Sequence, residues 1–363
     1  MLPKIAIIYL SFHCEPYIDD VISALKKMTY PKERVEFIIV DNPHPEHSSS
    51  IRFITETVMP LSGNEIPHVT LLPQEKNLGF AGGNNVGIRW ALEHDFDYVY
   101  FHNNDGFMAA NCLEPIVAAM EEDRTIGAAQ SLMLLYPEAN LINTSGNSLH
   151  YLMIGYCNNF REPKDRVTMA LVTDTGYASG AAMLLRADLL KKYGEWDADF
   201  WLYHEDIEYS LRLKSVGYRV VVARDSIFYH KYSFSRNTEK FYYIERNRFG
   251  VMLMFFKWPT LILFVPIALA LELGMLLFAW QGGWLSAKLN AYRYWLRLEH
   301  WRLWLGKRHK IQKLRTIGDR KLLANAVSEV HFEEKSINSP LLRYIGNPLM
   351  AAYWWVIRHL ILW

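Results

Sequence analysis

The first hundred residues alternate short apolar runs with amphipathic stretches. The apolar runs predict strands buried on both faces: Ile5–Leu10, Val35–Val40, Val69–Leu72 and Tyr98–Phe101. Between them, Tyr17–Met28 and Gly82–His94 have the periodicity of helices. This strand–helix–strand repetition predicts an α/β fold with a mostly parallel sheet covered by helices.

Polar residues directly after a predicted strand are the first candidates for a site, because such sheets bind ligands beyond the carboxyl ends of their strands. Asp41 follows the second strand. It can accept a hydrogen bond from a nucleotide, or else cap a helix or close an Asx-turn. Asn103, Asn104 and Asp105 follow the fourth strand. Asp105 can ligate a divalent cation shared with a diphosphate, although Asn/Asp-rich turns are also common without a ligand.

Further along the chain, Ser179–Arg186, Tyr218–Ala223 and Ser226–Tyr229 predict three more strands. His230 follows the last of them. A neutral imidazole beside Asp105 would complete a cation site. The alternative is a histidine at a strand end with a satisfied hydrogen bond.

The stretch Asn77–Asn85 is rich in glycine and opens a predicted helix after a strand and a loop. Glycines let backbone amides approach phosphate or ribose oxygens at a helix N-terminus. The glycine spacing is not that of the dinucleotide-binding fingerprint. An ordinary glycine-rich helix entry therefore remains the alternative.

The segment Phe-Trp-Leu-Tyr-His-Glu-Asp, which ends at Asp206, combines aromatic and acidic residues. Trp201 and Tyr203 offer faces on which a sugar ring can stack. A carboxylate beside that ring can remove a proton from a hydroxyl group. The pair Glu205 and Asp206 is therefore where we expect the chemistry.

Arg246 lies just before a long apolar segment, Trp258–Gly283. Its guanidinium can clamp a diphosphate, or it can simply flank a membrane. The apolar segment is long enough to cross a bilayer, but the basic residues that follow would then lie outside, against the positive-inside tendency. We therefore expect an interfacial or re-entrant apolar hairpin followed by basic amphipathic helices, with a single span as the alternative. Tyr344–Trp363 predicts a docking or interfacial helix.

Composition excludes some classes of partner and compartment. The formal net charge of +1 gives no case for nucleic acid. Three scattered cysteines suit a reducing compartment. The apolar N-terminal run lacks a cleavage-type site, so we expect a first strand rather than a signal peptide and a cytoplasmic catalytic domain. The expected domains are residues 1–247 (catalytic), 248–321 (membrane association) and 322–363 (C-terminal tail).

The order of these motifs resembles the family 2 glycosyltransferases with a GT-A fold, particularly bacterial and archaeal rhamnosyl- or galactofuranosyltransferase-like members. The resemblance covers about residues 4 to 250. It rests on the following segments: Tyr9–Ser11, Ile39–Asn42, Asn77–Asn84, Asn103–Asp105, Ser179–Ala181, Trp201–Asp206 with Arg212, His230, and Arg246 with Asn247. It implies inverting transfer of a sugar from a nucleotide sugar to an acceptor hydroxyl.

The resemblance also implies roles for individual residues. Residues expected to bind the donor are Asp41, Asn77, Gly79, Asn84, Asn104 and Arg246. Residues expected at the acceptor or sugar are Gly180, Trp201 and Tyr203. A divalent cation, Mg²⁺ or Mn²⁺, is expected at Asp105 and His230. Asp206 is the expected catalytic base and Glu205 is expected to orient the acceptor, with an exchange of these two roles left open.

Two positions depart from the family pattern. The family usually continues Asp-Asn-Gly-Ser-x-Asp after the second strand, whereas this chain has Asp-Asn-Pro-His-Pro-Glu-His over 41–47. Glu46 is the candidate to replace the missing acid. Asn103 occupies a position where some members have Asp, which predicts weaker metal affinity.

The preferred acceptor is a growing glycan on a polyprenyl diphosphate lipid at the cytoplasmic face of the membrane, in cell-surface polysaccharide assembly. One alternative is a catalytically inactive nucleotide-sugar-binding scaffold, against which the intact Glu205–Asp206 pair and His230 argue. Another is a sugar-phosphate nucleotidyltransferase. That class is disfavoured because no glycine-rich loop with Arg or Lys follows the first strand, where Leu10–His13 stands.

Overall fold

The computed structural model describes residues 2–47, 49–232, 239–330 and 340–363. The chain divides into two compact units. The first contains the described residues within 1–146, 157–201 and 218–234, and the second those within 147–156, 202–217 and 235–363.

The first unit is built on a mixed sheet of ten strands. These are β1 (Ile5–Ser11), β2 (Val35–Asp41), β3 (His68–Pro73), β4 (Tyr98–His102), β5 (Gly106–Met108), β6 (Ile126–Leu135), β7 (Ile142–Thr144), β10 (Val172–Asp174), β11 (Ala182–Arg186) and β12 (Arg219–His230). The order is β10-β12-β6-β11-β4-β1-β2-β3, with β5 beside β12 and β7 beside β6. The separate strands β8 (Asn147–Leu149) and β9 (Gly155–Cys157) pair with each other.

The predicted parallel core of the sheet is confirmed. Strands β4, β1, β2 and β3 are neighbours and run parallel. Every residue of β1 is buried, whereas β3 is the edge strand and is only partly buried. The helices of this unit are α1 (Ile18–Lys27), α2 (Ile51–Thr57), α3 (Gly79–Glu93), α4 (Leu113–Glu122) and α5 (Ala187–Tyr193).

Strand β12 differs from the sequence-based expectation of two separate strands. It is one strand, Arg219–His230, that pairs with β6 along its length. The register shifts between Ala223 and Ile227, which is the signature of a bulge. The bulge breaks the run of apolar residues in the sequence without ending the backbone pairing.

The second unit is mainly helical. Its helices are α6 (Glu205–Ser215), α7 (Glu239–Phe255), α8 (Trp258–Gln281), α9 (Leu285–Trp295), α10 (Leu298–Leu314), α11 (Asp319–Leu322) and α12 (Asn347–Leu360), the last preceded by a π-helical turn, Leu342–Gly346. The domain boundary expected after Asn247 falls inside α7. Part of the expected tail, 331–339, lies outside the described residues.

The expected hairpin within Trp258–Gly283 is wrong, because α8 is a single helix of 24 residues. Pro259 stands in the first turn, where a helix N–H has no intrahelical partner in any case. The helix also continues through Pro266. The chain turns only afterwards, at Gly282 and Gly283, and Gly283 has a φ of +74°.

A buried cluster of charges joins α7, α8 and α9. Arg248 pairs with Glu245 at 2.9 Å and also contacts Glu272, while Lys288 lies 2.5 Å from Glu272 and also contacts Glu245. Burial opposes the charge on Glu245, but Arg248 and Lys288 outweigh it and lower the pKa of this carboxyl below its ordinary value. The one acidic residue of the apolar helix is thereby compensated inside the protein.

Candidate active site

The carboxyl ends of β1 and β2 bring Ser11 and Asp41 side by side in the sheet register. Asp41 is buried, and its two carboxylate oxygens accept hydrogen bonds from the hydroxyls of Ser11 (3.1 Å) and Ser49 (2.5 Å). The residue therefore lies where the fold class binds ligands. Its contact with a nucleotide stays a prediction.

Asn42 and Asn77 fix the glycine-rich loop. The Asn42 amide donates to Asn77 Oδ1 (3.0 Å) and its oxygen accepts from the Leu78 N–H (2.7 Å). Asn77 Oδ1 also accepts from the Gly79 N–H at 2.8 Å. These side chains hold the loop that leads into α3, so Asn77 has a structural role whether or not it also contacts a donor.

The start of α3 packs against the backbone of Trp201. Gly79 has a φ of +72°, and a Cβ there would lie 2.6 Å from the Trp201 ring. The Trp201 carbonyl accepts hydrogen bonds from the N–H groups of Phe80 (2.6 Å) and Ala81 (3.3 Å). These amides, which the sequence offers to a phosphate, are thus used to hold Trp201. The glycine at this position is explained by close packing.

Other predicted donor and acceptor residues have identifiable local contacts. Asn84 is buried and donates to the Phe80 carbonyl at 2.9 Å. Asn104 donates to the Phe12 carbonyl at 3.0 Å. Gly180 lies against Trp196, whose ring would be 2.8 Å from an added Cβ. Their roles toward a sugar nucleotide stay predictions.

The structure brings Asp105 and His230 together, although they are far apart in the sequence. Asp105 Oδ1 lies 3.0 Å from His230 Nε2, and Asn103 Nδ2 donates to the same carboxylate oxygen at 2.5 Å. The pairing of β5 with β12 places Gly106 opposite His230, and the Lys231 N–H donates to the Asp105 carbonyl at 2.8 Å. Backbone pairing thus positions both side chains.

Asn143 on β7 orients the imidazole. Its Oδ1 lies 2.8 Å from His230 Nδ1, so this nitrogen carries the proton and Nε2 faces Asp105. The Nε2 atom and the carboxylate oxygen thus face each other, and Asn103 Nδ2 lies 3.4 Å from the same nitrogen. The donor set, one carboxylate oxygen and one imidazole nitrogen, fits a divalent cation.

Among the described residues, no group of three or more His, Cys, Asp or Glu side chains is arranged to hold a metal. Asp105 and His230 would therefore provide two ligands and leave the other positions to water and substrate oxygens, as is usual for Mg²⁺. Asn143 was not predicted. It carries no motif of its own, and only the pairing of β7 with β6 brings it to this place.

In the second unit, α6 begins with Glu205 and Asp206 after a loop with unusual backbone geometry. Tyr203 and His204 have φ values of +63° and +69°, which residues other than glycine rarely adopt. Asn247 holds this loop by donating to the carbonyls of Leu202 (3.1 Å) and Tyr203 (2.7 Å). Such strain is frequent at functional sites, where the surrounding structure enforces it.

The two carboxylates have different environments. Glu205 is buried, and its Oε2 has no hydrogen-bond partner within the described part of the chain. Burial, followed by the charge of Asp206, raises the pKa of Glu205 well above its ordinary value. Asp206 is half-buried, and its Oδ1 accepts from the Ile207 N–H at 2.8 Å. The protonated form of Glu205 is therefore favoured, and Asp206 is the better candidate for a base.

Arg246 is enclosed by aromatic rings. Its guanidinium lies 5.6, 5.2 and 5.3 Å from the ring centroids of Tyr242, Tyr243 and Tyr294. Its Nε donates to Asn247 Oδ1 at 2.8 Å. These contacts stabilise the cation by its position near π faces. Its action on a donor diphosphate stays a prediction.

Three histidines that the sequence reasoning missed lie together after β1 and β2. The His13 and His47 rings are stacked at 3.9 Å, and the His44 ring lies 4.5 Å from that of His47. Burial, with the neighbouring His47 next in effect, lowers the pKa of His44. Glu46 is exposed, and its N–H donates to His44 Nδ1. The sequence could have indicated this group, because His13 follows β1, His44 and His47 follow β2, and the carboxyl ends of parallel strands meet at one edge of the sheet.

Comparisons with known proteins identify the family and the fold. The model of the family described as Glycosyl transferase family 2 matches residues 6–194. The rhamnosyltransferase WbbL of Escherichia coli (strain K12) is 27% identical over 154 residues, which are 39% of this chain and 56% of that protein. The chain thus matches little more than half the length of this relative.

Two solved structures are also similar. GalNAc-T7 with UDP, GalNAc and Mn²⁺ has a TM-score of 0.55 at 14% identity, covering 71% of this chain and 49% of that chain. TarS 1–349 from S. aureus has a TM-score of 0.48 at 16% identity, covering 96% and 89%. The first of these likenesses shows the fold.

The mixed sheet, with its parallel half and the acidic turn after β4, is that of a glycosyltransferase with the GT-A fold. The chain belongs to glycosyltransferase family 2, whose model matches more than half of its residues. Both the predicted fold class and the predicted family are thus confirmed.

Proposed function

We propose that this protein is an inverting, metal-dependent glycosyltransferase that moves a hexosyl or deoxyhexosyl group from a nucleotide sugar to a hydroxyl of a glycan. The observation that carries the proposal is the Asp105–His230 pair, oriented by Asn143, in a family 2 chain. UDP and Mn²⁺ in the GalNAc-T7 structure support a nucleoside diphosphate donor and a divalent cation.

On the donor side, Asp105 and His230 would hold a divalent cation, Mg²⁺ or Mn²⁺. When bound, this cation supplies positive charge that stabilises the departing diphosphate. Asp41 contacts the nucleotide, together with the loop that contains Asn77 and Gly79. The two serine hydroxyls that bind Asp41 keep its carboxylate in one orientation.

On the acceptor side, the Asp206 carboxylate removes the proton from the acceptor hydroxyl. The oxygen then forms a bond to the anomeric carbon, while the bond from that carbon to the diphosphate oxygen breaks. The proton stays on Asp206 and the nucleoside diphosphate leaves. Glu205 has a raised pKa and acts in its protonated form, orienting the acceptor by donating a hydrogen bond. Positioned base catalysis contributes about 10²–10⁴-fold.

A cavity in the second unit supports a saccharide acceptor. Its volume is about 810 Å³, which is in the usual range for small-molecule sites. Tyr242, Tyr243 and Tyr294 offer ring faces, and Asn290 and Arg293 offer hydrogen bonds. Tyr242 and Tyr243 on α7 are within two turns of Asn247, which holds the loop before Glu205. A sugar chain with neutral rings and anionic substituents fits this lining.

The acceptor that we favour is a glycan on a polyprenyl diphosphate lipid at the cytoplasmic face of the membrane, in the assembly of a cell-surface polysaccharide. The exposed apolar side chains of α8 and α12 support a peripheral association with that membrane. Within the described ranges, α8 is the one helix long and apolar enough to cross a bilayer.

The proposal is tested by incubating the purified full chain with a panel of nucleotide sugars, with a membrane extract supplied as acceptor, and measuring release of the nucleoside diphosphate. Release is expected with Mn²⁺ for one donor and is expected to stop with EDTA. The Asp206→Asn variant should turn over about 10²–10⁴-fold more slowly while donor affinity, measured by calorimetry, changes little. Near-normal turnover of this variant would remove Asp206 from the role of base.

The same panel discriminates against the inactive scaffold. A scaffold would bind a nucleotide sugar in calorimetry but release no nucleotide with any donor, metal or membrane extract supplied as acceptor. That outcome would overturn the catalytic proposal and leave donor binding intact.

A further inference from the structure

Helix α8 presents a continuous apolar face to the outside of the protein. Seven large apolar side chains, spaced three or four residues apart, are 43–71% exposed: Trp258, Ile262, Val265, Leu269, Leu273, Leu277 and Trp280. A helix of 24 residues is about 36 Å long. Soluble monomeric proteins rarely expose a continuous apolar face of this extent to water.

The opposite face of α8 packs on polar helices at its beginning, middle and end. Near the beginning, the hydroxyl of the buried Thr260 donates to Asp319 at 2.6 Å. In the middle, Glu272 binds Lys288 and Arg248 in the buried charge cluster. At the end, the Phe278 ring meets that of Trp284 at 5.7 Å.

These contacts argue against a crossing of the bilayer by α8. A crossing would carry the attached helices into the hydrocarbon, with the buried charge cluster and the exposed cations of α9 and α10, including Arg293, Arg302 and Lys310. Each charge at the centre of a bilayer costs at least about 2.5–3.5 kcal/mol. Lying parallel to the surface, α8 can bury its outer face while the charged helices stay in water.

A basic cavity lies at the first turn of α8. It has a volume of about 620 Å³, and its lining includes the cations Arg320, Lys321 and Arg358, together with His359. Trp363 also lines it, and its Nε1 donates to Thr260 Oγ1 at 2.8 Å, so this lining side chain contacts the first turn of α8. The exposed Leu360 and Leu362 are close by in the chain. Cations beside apolar side chains are complementary to anionic headgroups above acyl chains.

We propose that α8 lies in the plane of an anionic phospholipid bilayer, with its outer face at the boundary between headgroups and acyl chains, and that the basic cavity binds a lipid phosphate. The biological role of this membrane binding, which is to bring the enzyme to a lipid-linked acceptor, rests on the proposed function. The interaction itself requires no catalysis.

The orientation is tested with single cysteines at Ile262, Leu269 and Leu277, near the beginning, middle and end of the exposed face. Each carries a nitroxide label, in a Cys157→Ser background because Cys14 and Cys112 are buried. Depth is measured on vesicles of phosphatidylcholine with phosphatidylglycerol. Similar shallow depths at the three positions are expected. A label at 269 much deeper than those at 262 and 277 would show a crossing helix and overturn the proposal.

Binding is tested by flotation of the full chain with the same vesicles. The double variant Leu269→Gln/Leu273→Gln should lower partitioning by about tenfold or more, since both side chains lose apolar burial. The matched control is Leu171→Gln, because Leu171 is 61% exposed in the first unit. Equal partitioning of the double variant and the wild type would contradict the assigned face.

The headgroup site is tested with Arg320→Gln/Arg358→Gln. Its binding to anionic vesicles should fall by about tenfold or more, while its weak binding to pure phosphatidylcholine stays unchanged. Arg52→Gln, an exposed arginine of the first unit, is the control. An unchanged preference for anionic vesicles would overturn the headgroup site.

Nucleotide release without vesicles is measured for each variant. A wild-type chain that releases nucleotide normally but does not float overturns the membrane proposal alone. A wild-type chain that floats but releases no nucleotide overturns the catalytic proposal alone.

Discussion

Asp105 Oδ1 and His230 Nε2 lie 3.0 Å apart, and Asn143 Oδ1 accepts a hydrogen bond from the other imidazole nitrogen, Nδ1. Because a carboxylate oxygen and an imidazole nitrogen are suitable ligands for a divalent cation, Mn²⁺ should bind to the wild type and bind much more weakly to His230→Ala and Asp105→Asn. Asn143→Ala should lower the affinity by about 10–100-fold, since the imidazole loses its orientation. Calorimetric titration with Mn²⁺ measures all three.

The matched control for the metal site is His68→Ala. His68 Nδ1 lies 2.7 Å from a carboxylate oxygen of Glu36, but the imidazole is exposed on the edge strand β3. This variant should bind Mn²⁺ like the wild type. Equal losses in the two histidine variants would mean that the Asp105–His230 pair is not the metal site.

Gly79→Ala should destabilise the protein more than Gly63→Ala. Both glycines have nearly the same φ, +72° and +71°, so an added Cβ strains the backbone equally. At Gly79 the Cβ also meets the Trp201 ring and carbonyl, whereas nothing lies within 4 Å of it at Gly63. We expect about 1 kcal/mol for Gly63→Ala and a further 1–3 kcal/mol or so for Gly79→Ala.

Urea unfolding of the two glycine variants gives the comparison. Because Trp201 is one of the predicted sugar-binding residues, nucleotide release by Gly79→Ala should also fall while that by Gly63→Ala does not. Equal unfolding free energies would show that the loop can move away from Trp201 without loss.

The raised pKa of Glu205 has a consequence for stability. Above the ordinary Glu value near 4.5, the folded protein retains a proton that the unfolded chain releases. The protonated Glu205 carboxyl therefore contributes fully to the free energy of unfolding below pH 4.5. This contribution is lost as pH rises from 4.5 toward the raised pKa of Glu205, by at most about 1.4 kcal/mol per pH unit. Glu205→Gln should therefore gain stability relative to the wild type as pH rises above the ordinary Glu value.

Urea unfolding at several pH values measures this difference, with Glu122→Gln as the control because Glu122 is exposed at the end of α4. Parallel pH profiles for the wild type and Glu205→Gln would contradict a buried, protonated carboxyl at this position.

Lys288→Met should destabilise the second unit strongly. Lys288 is fully buried and contacts Glu245 and Glu272. Its removal leaves two buried carboxylates with one cation, Arg248, and breaking such a cluster costs about 3–5 kcal/mol. Lys310→Met, at an exposed position of α10, should change the free energy of unfolding by less than about 0.5 kcal/mol. Similar results for both variants, in denaturant titrations, would show that the cluster adds little.

Much of the first unit could be predicted because its signals are local. Buried strands such as β1 and β4 are short apolar runs, and their carboxyl ends identify Asp41 and Asp105 as residues of one sheet edge. His230 could be paired with Asp105 only through the family resemblance. The pairing of β5 with β12, which brings them together, joins residues more than a hundred positions apart and leaves no local pattern.

Other features needed the structure because packing decides them. The glycine-rich loop was expected to approach a phosphate, but a backbone carbonyl of Trp201 occupies the amides of α3. Asn143 lies on a three-residue strand that no periodicity identifies. The apolar segment from Trp258 was expected to form a hairpin within its own length. It is one continuous helix instead, because the charge of Glu272 is compensated by Arg248 and Lys288 inside the protein.

The short strand β5 determines which side chain of β12 meets Asp105. Three residue pairs align the two strands, Met108 with Phe228, Phe107 with Tyr229, and Gly106 with His230. Side chains alternate between the faces of a sheet, so a slip of one residue would exchange the imidazole for the neighbouring phenol ring. An insertion or deletion in this tripeptide should therefore abolish ion coordination while preserving most of the hydrophobic interior.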